Sequence, residues 1–259
     1  MNKPVKISSI TIARDEEGNI PRLIESLLKC IDEIIILVDE RTTDKTFEIA
    51  RNFPKVKVKL VRWHGFAQTK QLAVELASNR WIFWIDADEL ISEELSKSLM
   101  EFKNSFPAFP VYKVARKANF LGKWIKHGGW YPAYVTRLFD KEKTSFNEKD
   151  VHEGLDFNGK VGILRGDLLH FTDPTIEHYF NKFNIYTTIA ARELGGKKGK
   201  RATAADILIR PLFLFFKMFI LKGGILDGFH GFVLAAFSSF YVFVKYLKIW
   251  EINNRKKKK

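Results

Sequence analysis

The residues of this chain best suited to chemistry are Asp86 and Asp88, in the run Trp81-Ile82-Phe83-Trp84-Ile85-Asp86-Ala87-Asp88-Glu89. The apolar stretch reads as a buried strand, and it ends abruptly in acids. Strand alternation puts Asp86 and Asp88 on one side of the chain. Two carboxylates held together repel each other, and a hard divalent cation shared with substrate phosphates relieves that repulsion. A charged strand-to-helix turn has the same appearance, and these residues alone leave both readings open. Two more polar bursts follow apolar runs, Ile12-Ala13-Arg14-Asp15-Glu16 and Val38-Asp39-Glu40-Arg41-Thr42-Thr43-Asp44-Lys45-Thr46. An Asp just past a strand can accept hydrogen bonds from a nucleobase or ribose, so Asp39 is either a ligand or a turn residue. Asp44 and Thr46 suit shaping the turn and capping the next helix.

Positioning these bursts at one edge requires a particular set of elements. Lys6 to Ile12, Glu33 to Val38, Val56 to Val61 and Trp81 to Ile85 read as strands. Between them, Asn19 to Cys30, Thr43 to Asn52 and Ala67 to Ser78 read as helices, with Asn19 and Thr43 or Asp44 as N-caps and Pro21 in a first turn. This alternation predicts an α/β fold with a mostly parallel sheet flanked by helices on both faces. Such sheets bind ligands at the carboxyl ends of their strands, where the polar bursts fall. After Glu101 the rhythm changes, with further strands at Val111 to Ala115, Tyr134 to Phe139 and Val161 to Phe171.

Three features in order resemble family 2 glycosyltransferases of the GT-A, Rossmann-like fold. They are the Asp39 to Thr46 stretch, Gly65-Phe66-Ala67-Gln68-Thr69-Lys70, and Asp86-Ala87-Asp88-Glu89. The run Asn119-Phe120-Leu121-Gly122-Lys123-Trp124-Ile125-Lys126-His127-Gly128-Gly129-Trp130-Tyr131-Pro132 narrows the match. With Arg137-Leu138-Phe139 and Val151-His152-Glu153, it resembles the lipopolysaccharide-core β-1,4-glucosyltransferase subgroup. The resemblance covers roughly Ile7 to His170. It implies an inverting hexosyltransferase with a nucleotide-diphosphate sugar donor and Mg²⁺ or Mn²⁺. Asp88 would hold the metal, with Asp86 bonding ribose or sharing the ion. Asp39 would accept from the base, and Arg14, Gln68 and Lys70 are donor contacts. Glu153 would be the general base that takes the acceptor hydroxyl proton. His152 would keep Glu153 ionised or bind the acceptor, and Trp130 and Tyr131 would stack on sugar faces. His170 is a candidate for the metal or donor phosphate, and His127 reads as a satisfied loop histidine. Relatives usually have Asp-Ser-x-Ser-x-Asp-x-Thr at the second-strand motif. Here Glu40, Arg41 and Thr42 replace the small residues, and Gln68-Thr69-Lys70-Gln71 departs from the usual Gln-Lys-Asn.

The tail from about Ala202 differs from the rest. Ile207 to Leu221 is almost continuously apolar, with Asp206, Arg210 and Lys217 on one narrow stripe at about 100° per residue. A Gly-rich break follows, then a second apolar run from Gly228 to Val244, shorter than the ~20 residues of a spanning helix. These read as two helices in the membrane interface, with Arg255 to Lys259 facing anionic headgroups. The expected division is a catalytic domain at 1–200 and an apolar, membrane-associating helical tail at 201–259. The 259 residues carry a formal net charge of +13 and a single cysteine, Cys30, which excludes an intramolecular disulfide framework and a cysteine zinc cluster. The N-terminus lacks a signal-peptide core, so the expected location is the cytoplasmic face of the inner membrane, peripheral or monotopic. The expected partners are a nucleotide-sugar donor, a glycan or lipid-linked acceptor and an anionic membrane surface. Alternatives are a polyprenyl-phosphate sugar synthase or peptide glycosyltransferase on the same fold, and a non-catalytic basic module binding membrane or nucleic acid. The ordered acidic motifs count against nucleic acid.

Overall fold

The runs Ile7–Ala13, Glu33–Asp39 and Trp81–Trp84 are buried on both faces, as strands inside a parallel sheet are. The computed structural model describes residues 4–146 and 154–257. Strands β1 (Ile7–Ala13), β2 (Glu33–Asp39), β3 (Val56–Val61) and β4 (Trp81–Trp84) alternate with helices α1 (Ile20–Leu27), α2 (Thr46–Arg51) and α3 (Phe66–Leu76). Every residue of β2 is buried, whereas β3 alternates, as an edge strand should. Ile34, Ile36 and Val38 pack on one face with α1, α2 and α4 (Glu93–Lys103), while Ile35 and Leu37 pack on the other with Ala73 and Val74 of α3. The remaining strands are β5 (Glu89–Ile91), β6 (Val111–Phe120), β7 (Lys123–Trp124), β8 (Ala133–Asp140), β9 (Thr144–Phe146), β10 (Leu155–Phe157) and β11 (Val161–Asp173). The main sheet runs β3-β2-β1-β4-β8-β6-β11-β5, parallel from β3 to β4, and β8 and β5 are antiparallel to their described partners.

Two differences from expectation have local causes. The second helix starts at Thr46 rather than Thr43. The Asp44 carboxylate accepts from the Thr46 backbone N–H at 2.9 Å, so a side-chain turn occupies the space of the first helical turn. Asn19 stands at the N-cap of α1, but its side chain makes no cap hydrogen bond.

The packing divides the chain into two units, one of residues up to Arg116 with Ala133–His170, the other of Lys117–Pro132 with Phe171–Lys259. In the second unit, β7 folds back on the end of β6 through Leu121 and Gly122, both with positive φ, as a two-residue hairpin turn requires. Helix α5 (Ile176–Ala191) is capped by Thr175, whose hydroxyl accepts from the His178 N–H. Helix α6 (Ala204–Phe216) opens on a capping box of Thr203 and Asp206 and ends in a wider π-turn, Lys217–Leu221. Its polar stripe does not face water uniformly: Asp206 and Pro211 are buried, whereas Leu208, Ile209, Leu212, Phe213 and Phe216 are 49–73% exposed. Helix α7 (Gly228–Lys257) runs well past Val244, because Tyr246 and Ile249 are buried with Ala191 of α5. Lys248 does not end it: its ammonium donates to the Thr187 and Thr188 hydroxyls at 2.9 and 2.7 Å. Gly224–Arg255 is long and apolar enough to cross a membrane by length and composition, and 22% of its most apolar window is buried in protein.

Candidate active site

The acidic run lies at the carboxyl end of the parallel strands. Register aligns Ala13 with Val38 and Ile10 with Trp84, so Arg14, Asp39 and Asp86 emerge at one edge of the sheet. Strand β4 stops at Trp84, Ile85 N–H donates to the Ile10 carbonyl, and the chain then turns, with Glu89 N–H donating to the Asp86 carbonyl at 3.1 Å. The turn ends the alternation expected of this segment. Asp86 and Asp88 therefore meet different partners.

Asp86 sits in a cationic cradle. Its Oδ1 accepts from Trp84 Nε1 at 2.9 Å and lies 3.6 Å from Lys70 Nζ, and its Oδ2 accepts from Arg137 Nη2 at 2.7 Å. The same guanidinium nitrogen donates to Glu89 Oε1 at 2.7 Å, and Glu89 Oε2 accepts from the Asp86 backbone N–H at 3.1 Å. Lys70 Nζ stands 3.8 Å from the Trp84 ring centroid and the Arg137 guanidinium 4.4 Å, so the indole is in cation–π contact with both. Burial works against the Asp86 charge, but Arg137 and Lys70 hold its carboxyl well below the usual range. Burial pushes Glu89 up; Arg137 opposes that rise and the Asp86 charge adds to it. Burial would lower Arg137, yet Asp86 and Glu89 raise it and keep it charged.

Asp88 stands outside this cradle. Its Oδ2 is 3.2 Å from His170 Nε2, and the two side chains are 27% and 16% exposed. The β5–β11 pairing creates this contact, since His170 lies opposite Glu89. No group of three or more metal-ligating residues occurs among the described residues.

The other expected site residues each have their own surroundings. Asp39 is 1% exposed, and its carboxylate accepts from the Arg41 backbone N–H at 3.0 Å and from Arg41 Nη2 at 2.5 Å. These bonds from Arg41, acting against burial, hold Asp39 down at about 2. Arg14 is exposed, with Nε 3.5 Å from the Asp15 carboxylate. On α3, Gln68 is exposed and Lys70 buried. Trp130 and Tyr131 belong to the second unit. Trp130 packs edge-on to Phe120 with centroids 6.4 Å apart, and Lys117 Nζ lies 5.8 Å from the Tyr131 ring. His152 and Glu153 lie outside the described residues. Asp44 and Thr46 act as turn residues: Asp44 accepts from Glu17 N–H and the Thr46 hydroxyl accepts from Glu16 N–H, lacing the first two loops together.

Sequence reasoning places Arg137 and Glu89 within matched motifs but gives them, and Trp84, no role in the site. The signals were present. An arginine inside an apolar strand needs a buried carboxylate, and Trp84 shares a strand face with position 86.

With this geometry in place, the comparisons assign the class. Residues 8–166 match the model of glycosyl transferase family 2, and the chain belongs to that family. It is 29% identical over 256 residues to the lipopolysaccharide core biosynthesis glycosyltransferase LpsC of Rhizobium meliloti, covering 95% of this chain and 92% of the relative. It is 28% identical over 267 residues to an uncharacterized glycosyltransferase of Rickettsia typhi, covering 96% and 88%. Among solved structures, the fold is similar to the mannosyltransferase PcManGT of Pyrobaculum calidifontis in complex with GDP-Man and Mn²⁺ (TM-score 0.57, 12% identity, 96% of this chain and 87% of that one). It is also similar to S. aureus TarS 1-349 in complex with UDP (TM-score 0.51, 14% identity, 97% and 92%). The GT-A-like architecture, with a long apolar C-terminal helix, therefore holds.

Proposed function

We propose that this family 2 glycosyltransferase moves a sugar, with inversion, from a nucleotide-diphosphate donor to a cell-envelope glycan acceptor such as lipopolysaccharide core. The observation that carries the proposal is the division of labour in the acidic turn. Asp86 is charge-compensated by Lys70 and Arg137, while Asp88 and His170 remain as a partly exposed carboxylate–imidazole pair. The relationship to LpsC over nearly the whole of both chains supports the acceptor class. The UDP and GDP-Man complexes of structures with the same fold support the donor class.

The donor set fits Mg²⁺ or Mn²⁺. A carboxylate and an imidazole at the carboxyl end of the sheet would hold a divalent ion shared with the donor's diphosphate. Asp88 and His170 would hold it, and it would neutralise charge developing on the leaving diphosphate. Asp86, fixed by Arg137 and Lys70, is assigned to the ribose. Asp39 is assigned to the base, and Arg14, Gln68 and Lys70 to the donor phosphates and sugar. Lys70 supplies positive charge near the leaving group at no reorganisation cost, because it is already seated on Trp84. Glu153 is assigned as general base, with His152, Trp130 and Tyr131 on the acceptor. Residues 1–200 are assigned to catalysis and 201–259 to a peripheral or monotopic hold on the cytoplasmic face of the membrane. The apolar outer face of α6 supports that assignment.

A screen of UDP-, GDP- and ADP-sugars for nucleoside diphosphate release with Mn²⁺, Mg²⁺ or EDTA tests the reading. One donor class should be turned over in a metal-stimulated manner. No release from any donor with an envelope extract supplying acceptor would overturn it. The exposed face of α6 also favours a second reading, a polyprenyl-phosphate acceptor, which a sugar–phosphate–lipid product would establish.

A further inference from the structure

The aromatic loop Gly122–Pro132 and the turn between α6 and α7 are far apart in sequence and bound together within the second unit. The fastening centres on Asp227, a 3% exposed carboxylate. It accepts from the backbone N–H of His127 at 2.8 Å and of Lys126 at 3.2 Å, and its Oδ1 is 3.1 Å from His127 Nδ1. The Asp227 carbonyl accepts from Lys123 Nζ at 2.9 Å. One turn earlier, the Lys222 carbonyl accepts from Gly128 N–H at 2.9 Å. The close approach is built into the backbone: a Cβ on Gly231 would fall 1.9 Å from the Gly224 carbonyl oxygen, so the turn folds tightly against the start of α7.

That same turn and the adjoining end of α6 carry exposed apolar side chains. Leu212, Phe213, Leu221, Leu226 and Phe229 are 58–76% exposed. Lys126, Lys217 and Lys222 are exposed beside them. Apolar side chains ringed by lysines complement an anionic bilayer, with the hydrocarbon taking the first and the headgroups the second.

We propose that Asp227 is a latch that fixes the aromatic loop to the bilayer-inserting turn, so that insertion of Leu221, Leu226 and Phe229 sets Lys126 to Trp130 at headgroup level. Asp227 is a positioning residue in this scheme. The proposal rests on the membrane and acceptor-loop readings above. It adds that the bilayer orients the acceptor loop through one carboxylate, and the loop is thereby placed where a lipid-linked saccharide emerges.

Hydrogen exchange of the full chain, with and without vesicles of mixed phosphatidylglycerol and phosphatidylcholine, tests it. In the parental protein, vesicles should slow exchange both in Leu221–Phe232 and in Gly122–Trp130. In Asp227→Asn, free of vesicles, the Lys126 and His127 amides should exchange about tenfold faster or more, from loss of charge-assisted bonds. With vesicles, that variant should keep protection in the turn and lose it in the loop. His127→Ala, which leaves the buried carboxylate bonded to two backbone amides, should show a smaller version of the same separation and guards against a misfolded Asn variant. Protection of the turn without the loop in the parental protein would overturn the latch and leave the membrane reading standing. Vesicle protection of the loop in Asp227→Asn equal to the parental protein would overturn it as well. Protection of neither segment, or protection arising from self-association without lipid, would overturn the membrane reading and the latch together.

Discussion

At the scale of single residues, the site separates a carboxylate compensated by Lys70 and Arg137 from one paired with a histidine. Asp88→Asn should abolish metal-stimulated donor turnover with the fold intact, since Asp88 contacts His170 and no buried cation. Asp86→Asn should do more: it removes a charge that Lys70 and Arg137 are placed to meet, so thermal stability as well as activity should fall. Arg137→Met leaves Asp86 and Glu89 without their shared cation. Breaking a buried pair in this way costs about 3–5 kcal/mol, which denaturant titration would read directly. Equal stability of Arg137→Met and the parental chain would remove the cradle from the account. Glu153→Gln keeps shape but takes no proton, and should lower turnover by about 10²–10⁴ while donor binding persists. Parental turnover in that variant would move the base to another carboxylate. The acidic pair was legible in the sequence because three acids follow an apolar run. The cradle was not, because Arg137 is contributed by an antiparallel strand about fifty positions away and pairing of that strand with β4 has no local signal.

At the scale of elements, the parallel half was the most legible part. Strands β1, β2 and β4 are apolar runs, β3 alternates apolar residues with lysine, and helical segments separate them, so periodicity locates them. Strand β5 has three residues and is defined by its partner β11, so nothing in its own composition marks it. Helix α7 was read too short because Lys245 and Lys248 interrupt its apolarity, whereas in the fold Lys248 is satisfied by threonines of α5. The parallel strands also carry a pH dependence. At the start of β2, burial opposes the Glu33 charge, but Lys57, Ser8 and Ser78 hold its carboxyl at about 2. Asp39 at the end of the strand is likewise held at about 2. Both folded values lie below the ordinary carboxylate range. Their contributions are therefore fully present above about pH 4.5 and are lost as pH falls toward 2. Melting temperature should decline over that window, and Lys57→Met should make the decline shallower by raising the folded value of Glu33. An unchanged acid limb in Lys57→Met would assign the dependence to other groups.

At the scale of the whole molecule, the tail is not a separable anchor. Helix α7 shares a buried cluster with α5, and the α6–α7 turn holds Lys126 and His127 by hydrogen bonds. Deleting 201–259 would therefore strip a core along with any membrane contact. Polar substitution at outward positions is the cleaner test: Leu212→Ser with Phe213→Ser should lower vesicle co-sedimentation at high and low salt alike, because apolar burial is not screened. Removing Arg255 to Lys259 should weaken it mainly at low salt, at about 1 kcal/mol per basic residue near the surface. A parental chain that remains wholly unbound to anionic vesicles would contradict the membrane assignment. The basic charge, the apolar tail and the outward apolar side of α6 were legible in the sequence; the burial of Asp206 was not, since its stripe reads as a solvated one. The central claim is a metal-assisted nucleotide-sugar site in which Asp88 holds the ion. Calorimetric titration of the accepted donor nucleotide into parental protein and Asp88→Asn, each with Mn²⁺ and with EDTA, addresses it most directly. The account predicts metal-enhanced binding in the parental protein and metal-independent, weaker binding in Asp88→Asn. Equal metal enhancement in both proteins would contradict it.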